Sequence, residues 1–506
     1  MNLARLGDEN LEKYGEYVAL VFEGQEYTNR DQQRAANRLA NALRGLGVGA
    51  GDRIVVMLPN CPEVPQSYAA ILKLGAVVVP VIFLLGPEEV KHILVDSEAK
   101  VVITSTDMLW KVEPLIGALP ALRHVVLVDG DGERTLGLAE LVKGEPDTFT
   151  VVERADDDLA VILYTSGTTG QIKGVALSHR NLHSNARAAA ALNELSREDW
   201  GLAVLPLSHS YGLMLMNAGN ILGTRSVLLR WFNPEEVLTT IQKFRIRAMA
   251  GVPTMFVYLL NYPEAEAYDT SSMIYWGSGA APLPLELVEP FEKKFGGRIL
   301  EGYGLTEAAP LVSAHRISME RRLGSVGKPV PSVEVKILDA DDRELPVGEA
   351  GEICVRSPGV MLGYYRLPEE TAKTVRNGWL YTGDVGRLDA DGYLYIVERK
   401  KDLIIRGGFN IYPREVEEVL YAHPKVAEAG VVAMPDPLMG EDVLAFVALK
   451  AGQQATTEEI MAFCQEKLAK FKCPKQVRFV ESLPKNPIGK ILRKELRKLI
   501  EGEHHG

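Results

Sequence analysis

The chain has 506 residues, more than one compact core accommodates, because single cores stop growing at roughly 250–300 residues. Its 46% hydrophobic and 24% charged residues are those of an ordinary globular protein and exclude disordered and fibrous classes. A net charge of −11, from 56 basic and 67 acidic residues, has the wrong sign for a nucleic-acid binder, whose affinity comes largely from neutralised phosphates.

In chain order, Thr28 is predicted to open an amphipathic helix. Asp31 stands in a near-capping-box position, and Leu39, Leu43 and Leu46 follow at helical spacing. Residues 53–58, Val101–Thr104 and 124–128 read as buried strands between helices, so the first half predicts an α/β layered fold with largely parallel sheets. The longest uncharged apolar run, 74–86, is broken by Pro80 and falls short of the ~20 residues of a membrane span. After residue 323 the character changes. Residues 324–396 carry many Gly and Pro and short β-type runs, which predict a small, mostly antiparallel β subdomain. The charged cluster 398–402 precedes a smaller round of α/β alternation: a helix from Pro413, strands at 429–433 and 444–449, and a helix from Thr457. The expected division is 1–400 and 401–506.

Cys61, Cys354, Cys464 and Cys473 form no C-x-x-C pair, so neither a zinc site nor a disulfide framework is expected. The opening MNLARLGDEN lacks the apolar core of a signal peptide, and the closing EGEHHG matches no lipidation or peroxisomal signal. A cytoplasmic protein without an integral membrane segment is the expectation.

The chemistry concentrates first at 162–174. An apolar strand runs into Thr165, Ser166, Gly167, Thr168, Thr169 and Gly170, then Lys173. Hydroxyls and accessible backbone N–H groups donate to phosphate oxygens, glycine permits close approach, and the ammonium adds positive charge. The glycine-to-lysine spacing is not that of a Walker A loop. Further on, Glu307 in Gly302-Tyr-Gly-Leu-Thr-Glu307 offers magnesium a hard oxygen donor. Thr306 offers a hydrogen bond to phosphate, and Tyr303 a flat ring for a purine.

These segments resemble the signatures of the adenylate-forming superfamily, which includes acyl-CoA synthetases, peptide-synthetase adenylation domains and beetle luciferases. The resemblance spans nearly the whole chain and lies closest to fatty acyl-CoA synthetases. Ile172 stands where the family usually has proline. The resemblance implies a large N-terminal domain of layered α/β subdomains with a small β-barrel-like subdomain, and a small mobile α+β C-terminal domain. It implies that Gly279, Ala280 and Ala281 shape the adenine pocket and one wall of the acyl pocket. It assigns Asp384 and Arg399 to the ribose, Thr306 and the 165–169 loop with Lys173 to the phosphates, and Glu307 to magnesium. Lys490 becomes the catalytic ammonium, Lys401 the hinge, Gly408 a lining of the pantetheine tunnel, and His209 a group beside the acid's carboxylate.

The reaction implied uses ATP, Mg²⁺ and a carboxylic acid to form acyl-AMP and pyrophosphate, then coenzyme A to form acyl-CoA and AMP. A medium- or long-chain fatty acid is the first expectation for the acid, with aryl and dicarboxylic acids as alternatives. Delivery to a carrier protein, luciferase-type oxidation and a non-catalytic nucleotide sensor are rival readings. A monomer or homodimer is the family norm.

Overall fold

The computed structural model describes residues 2–166, 172–407, 409–485 and 490–501. The predicted cap at Thr28 forms: its Oγ1 accepts from the Asp31 N–H at 3.0 Å, and the Asp31 carboxylate accepts from the Thr28 N–H at 2.9 Å. Two otherwise orphaned donors at the start of the helix Asn29–Gly45 are thereby satisfied. Its Leu39 and Leu43 are buried, and it packs against the helix Glu63–Lys73. The opening residues, to which the sequence assigns no element, form the helix Arg5–Tyr14.

Among the described residues two large sheets dominate. In the nine-stranded sheet, Val18–Phe22, Arg225–Leu228, Trp200–Ala203, Ala248–Gly251, Tyr275–Ser278 and Arg298–Gly304 run parallel in that spatial order. Antiparallel strands close its edges. The eight-stranded sheet has a parallel centre formed by Leu159–Ser166, Val77–Pro80, Arg53–Met57, Val101–Thr104 and His124–Leu127. Ile172–Ser178 pairs antiparallel with Leu159–Ser166. The largely parallel α/β expectation holds, and near-continuous Val/Ile/Leu runs such as Arg53–Met57 are buried because helices cover both faces.

Between residues 324 and 399 lies the expected antiparallel sheet: Glu334–Leu338, Gly351–Arg356, Trp379–Leu388, Val375–Arg376 and Leu394–Arg399. Its Ile353, Val355, Leu380 and Leu394 join the core beneath the first helices. After Lys401 a separate core gathers Val431, Val443, Val447 and Ile460. The strands there run as Val426–Asp436 and Gly440–Leu449, longer than their apolar pattern suggests, because the hairpin continues through polar residues past the buried stretch. Among the described residues no helix is long and apolar enough to cross a membrane.

Candidate active site

Parallel α/β sheets place ligands at the carboxyl ends of their strands, and several of the predicted residues sit there. Tyr275–Ser278 ends at Gly279, Ala280 and Ala281; Arg298–Gly304 ends just before Thr306 and Glu307; Trp200–Ala203 leads to His209. At Gly279 a Cβ would stand 3.1 Å from the Tyr211 ring, tight enough that the ring would have to shift slightly to admit a side chain. Ala280 takes a left-handed φ of 67°, which turns the chain sharply as it leaves the sheet. Ala281 follows, half-buried.

Three predicted residues meet directly. Asp384 and Arg399 are cross-strand partners. The Arg399 Nε lies 3.2 Å from Asp384 Oδ1, and the Tyr303 hydroxyl donates to Oδ2 at 2.6 Å. Asp384 is only 5% exposed. Burial and then the Asp384 charge push the Tyr303 phenol well above its ordinary range, so it stays protonated and donating.

Thr306 Oγ1 lies 3.2 Å from Ser210 Oγ, which ties the 306–307 turn to the start of the helix Ser210–Leu222. His209 caps that helix, its Nδ1 accepting from the Tyr211 N–H at 3.2 Å. Burial, then the positive charge of Lys490, drive the imidazole down to about 4, so it is neutral at physiological pH with the remaining proton on Nε2. Glu307 Oε1 accepts from the Tyr364 hydroxyl at 3.0 Å. The Tyr364 ring also faces the Lys173 ammonium, 5.1 Å from its centroid, and Lys173 is paired with Glu370 at 2.7 Å.

Among the described residues no cluster of three or more His, Cys, Asp or Glu side chains could cage a metal. A single carboxylate at Glu307 fits magnesium all the same. That ion keeps several waters and takes phosphate oxygens alongside one or two carboxylates.

Lys490 comes from the far end of the chain to this group. Burial, then the guanidinium of Arg399, lower its ammonium to about 7, with Asp384 acting the other way. The segment is held by Arg493, whose guanidinium reaches Glu398 at 2.7 Å, Asp402 at 3.3 Å and Glu417 at 2.7 Å. Arg414 adds a backbone bond to Glu398 and a guanidinium bond to the Ile396 carbonyl, each 2.8 Å. Lys401, between these partners, is exposed.

A cavity of ≈ 420 Å³ opens beside the same strand ends, within the range of about 300–1,000 Å³ typical of small-molecule sites. Tyr211 and Gly277 stand at its inner end, and Leu205, Leu207, Met214 and Leu228 make much of its wall.

Thr165 lies in the strand Leu159–Ser166, with Lys173 as its cross-strand partner. Ser166 is described by its backbone, which pairs with Ile172. Gly167, Thr168, Thr169 and Gly408 lie outside the described residues. The sequence reading did not find Ser210, Tyr364, Glu370 or Arg493; no spacing rule links them to partners so far away along the chain.

Known proteins resemble this chain in sequence and fold. Residues 7–365 match the model of the AMP-binding enzyme family and 415–490 that of the AMP-binding enzyme C-terminal domain. A long-chain-fatty-acid–CoA ligase from Bacillus subtilis (strain 168) is 39% identical, over 97% of this chain and 93% of that protein. The anthranilate CoA ligase AuaEII in complex with anthranoyl-AMP superposes with a TM-score of 0.95 at 31% identity, covering 100% of this chain and 98% of the other. ATP-bound MatB from Rhodopseudomonas palustris gives 0.92 at 32% identity, covering 99% of each. Sequence motifs, sheet order and full-length similarity converge, and the chain belongs to the AMP-binding enzyme family.

Proposed function

We propose that this protein is an AMP-forming acyl-CoA synthetase. MgATP and a carboxylic acid give acyl-AMP and pyrophosphate, and coenzyme A then gives acyl-CoA and AMP. The observation that carries the reading is the gathering of Tyr303, Asp384, Arg399 and Lys490 near a partly open, largely apolar cavity. The fatty-acid and anthranilate CoA ligases among its relatives support coenzyme A as the acyl acceptor.

In this reading Asp384 accepts from the ribose hydroxyls, and Arg399 keeps its carboxylate oriented. Gly279, Ala280 and Ala281 pass along the adenine beside Tyr303. Thr165, Ser166, Gly167, Thr168, Thr169, Lys173 and Thr306 donate to the phosphates. Glu307 would hold magnesium, which supplies charge neutralisation between the phosphates. The acid lies in the cavity with its carboxylate near His209, whose Nε2–H donates to it. Attack on the α-phosphate gathers negative charge, and the Lys490 ammonium offsets it in the transition state. The bond to pyrophosphate breaks as the carboxylate–phosphorus bond forms.

Domains 1–400 and 401–506 then rotate about Lys401. The pairs from Arg493 and Arg414 to Glu398 separate, Lys490 withdraws, and Gly408 lines the path of the incoming thiol. The thiol sulfur attacks the acyl carbon, its proton passes to solvent, and AMP leaves as the acyl–phosphate bond breaks. The cavity wall and the name of the Bacillus subtilis relative support a medium- or long-chain fatty acid.

The test follows pyrophosphate and AMP across a panel of fatty, aryl and dicarboxylic acids. Pyrophosphate release requiring an acid, with rapid AMP release requiring coenzyme A, supports the reading. AMP release at the same rate without coenzyme A removes it.

A further inference from the structure

A glutamate in a turn has several rotatable bonds, and its carboxylate wanders unless something holds it. Among the described residues one side chain hydrogen-bonds Glu307: the Tyr364 hydroxyl donates to Oε1 at 3.0 Å, while Oε2 has no partner. Tyr364 itself comes from the two-residue strand Gly363–Tyr364, too short to keep a place on its own. It is held from three directions. The strand pairs antiparallel with Ile172–Ser178, which carries Lys173, and the bonds on either side run from the Leu362 N–H to the Ala176 carbonyl at 2.9 Å and from the Tyr365 N–H to the Gly174 carbonyl at 2.7 Å. The Met361 N–H donates to the Glu307 carbonyl at 2.9 Å. The Tyr364 N–H donates to Thr371 Oγ1 at 2.8 Å, in the helix Pro368–Thr374. Residues 361–371 therefore strap the Glu307 turn to the hairpin of Lys173. The Tyr364 side chain repeats that link, with its hydroxyl on Glu307 and its ring 5.1 Å from the Lys173 ammonium.

Packing does not call for the phenol oxygen, since phenylalanine would offer the same ring to Lys173 and to the strand. Tyr14, Tyr68 and Tyr393 spend their hydroxyls on the backbone carbonyls of Ile221, Leu207 and Glu320. Tyr364 spends its own on a site carboxylate, as Tyr303 does on Asp384. A donor fixed on one oxygen removes rotamers that binding would otherwise have to freeze, and it leaves the other oxygen for a cation. Outer partners of this kind set the affinity of a metal site.

We propose that Tyr364 is a positioning residue for the nucleotide's magnesium, acting through the Glu307 carboxylate. The inference rests on the acyl-CoA synthetase reading and adds to it a residue that touches neither nucleotide nor acid.

The experiment measures the Kd of ATP by calorimetric titration, in excess Mg²⁺ and in EDTA, for the wild-type protein, Tyr364→Phe, Glu307→Gln and the double variant. The ratio of the two constants is the magnesium contribution. Tyr364→Phe removes one oxygen and keeps the ring beside Lys173. The expected result is a magnesium contribution roughly tenfold smaller than in the wild type, with the Kd in EDTA and the thermal midpoint near their wild-type values. In the Glu307→Gln background the same substitution should change nothing further. Equal weakening with and without Mg²⁺, the outcome for a purely structural tyrosine, overturns the proposal, and so does an unchanged magnesium contribution in Tyr364→Phe. An undiminished magnesium contribution in Glu307→Gln removes instead the assignment of Glu307 to the ion, and this inference with it.

Discussion

Asp384 and Arg399 face each other across an antiparallel strand pair, Oδ1 to Nε 3.2 Å, with the second carboxylate oxygen held by the Tyr303 hydroxyl. Both partners hold the carboxylate in place without any nucleotide, so on the proposed reading it meets a ribose already oriented. On the proposed reading, Asp384→Ala removes charge-assisted hydrogen bonds to the ribose and leaves the partly exposed Arg399 guanidinium without its carboxylate. The expected outcome is a loss of roughly 10- to 100-fold in kcat/KM for ATP, with the KM for the acid little changed. Steady-state kinetics with each substrate varied in turn checks it.

Lys490 gives a pH signature. Its ammonium is held down at about 7 by burial and then Arg399. A triphosphate beside it favours the charged form and raises that value, so ATP binding takes up a proton. The sign follows: the proton-linked part of the affinity is complete below pH 7 and weakens as the pH rises past it. Calorimetric titration of ATP near pH 8, in buffers of different ionisation enthalpy, should show uptake that Lys490→Met abolishes. No uptake in the wild type contradicts the assignment.

Lys173 is already paired with Glu370, which also binds Lys373 at 2.8 Å. On the proposed reading that carboxylate competes with phosphate for the Lys173 ammonium. Glu370→Gln should lower the KM for ATP a few-fold with kcat near wild type, and initial-rate kinetics reads the change. A raised KM would mean that Glu370 positions Lys173 rather than restraining it.

The clasp at Arg493 joins both sides of Lys401. Its partners Glu398, Asp402 and Glu417 are largely buried, with side chains 4%, 7% and 12% exposed. Removing one partner from such a network strands charges at a cost of about 3–5 kcal/mol. Arg493→Met should lower the thermal midpoint and slow adenylation more than thioester formation from supplied acyl-AMP. Thermal unfolding and the two half-reaction rates, measured separately, check both.

Much of this was legible along the chain where the signal is local. The Thr28–Asp31 box, the strand before the phosphate loop, the break after residue 323 and the helix at Pro413 each depend on neighbours a few residues apart. The Tyr303, Asp384 and Arg399 set was legible through the order of its motifs. What escaped depends on distant partners: Lys173 and Glu370 are 197 residues apart, Arg493 and Glu398 are 95. The neighbour of Val18–Phe22 in its sheet is Arg225–Leu228, a pairing no local pattern encodes.

The most direct measurement separates the two half-reactions in Lys490→Met. The account predicts that acid-dependent pyrophosphate release falls by at least a hundredfold, while the variant still converts supplied acyl-AMP and coenzyme A to thioester at near the wild-type rate. Adenylation at an undiminished rate, or equal loss of both half-reactions in a folded protein, would contradict it.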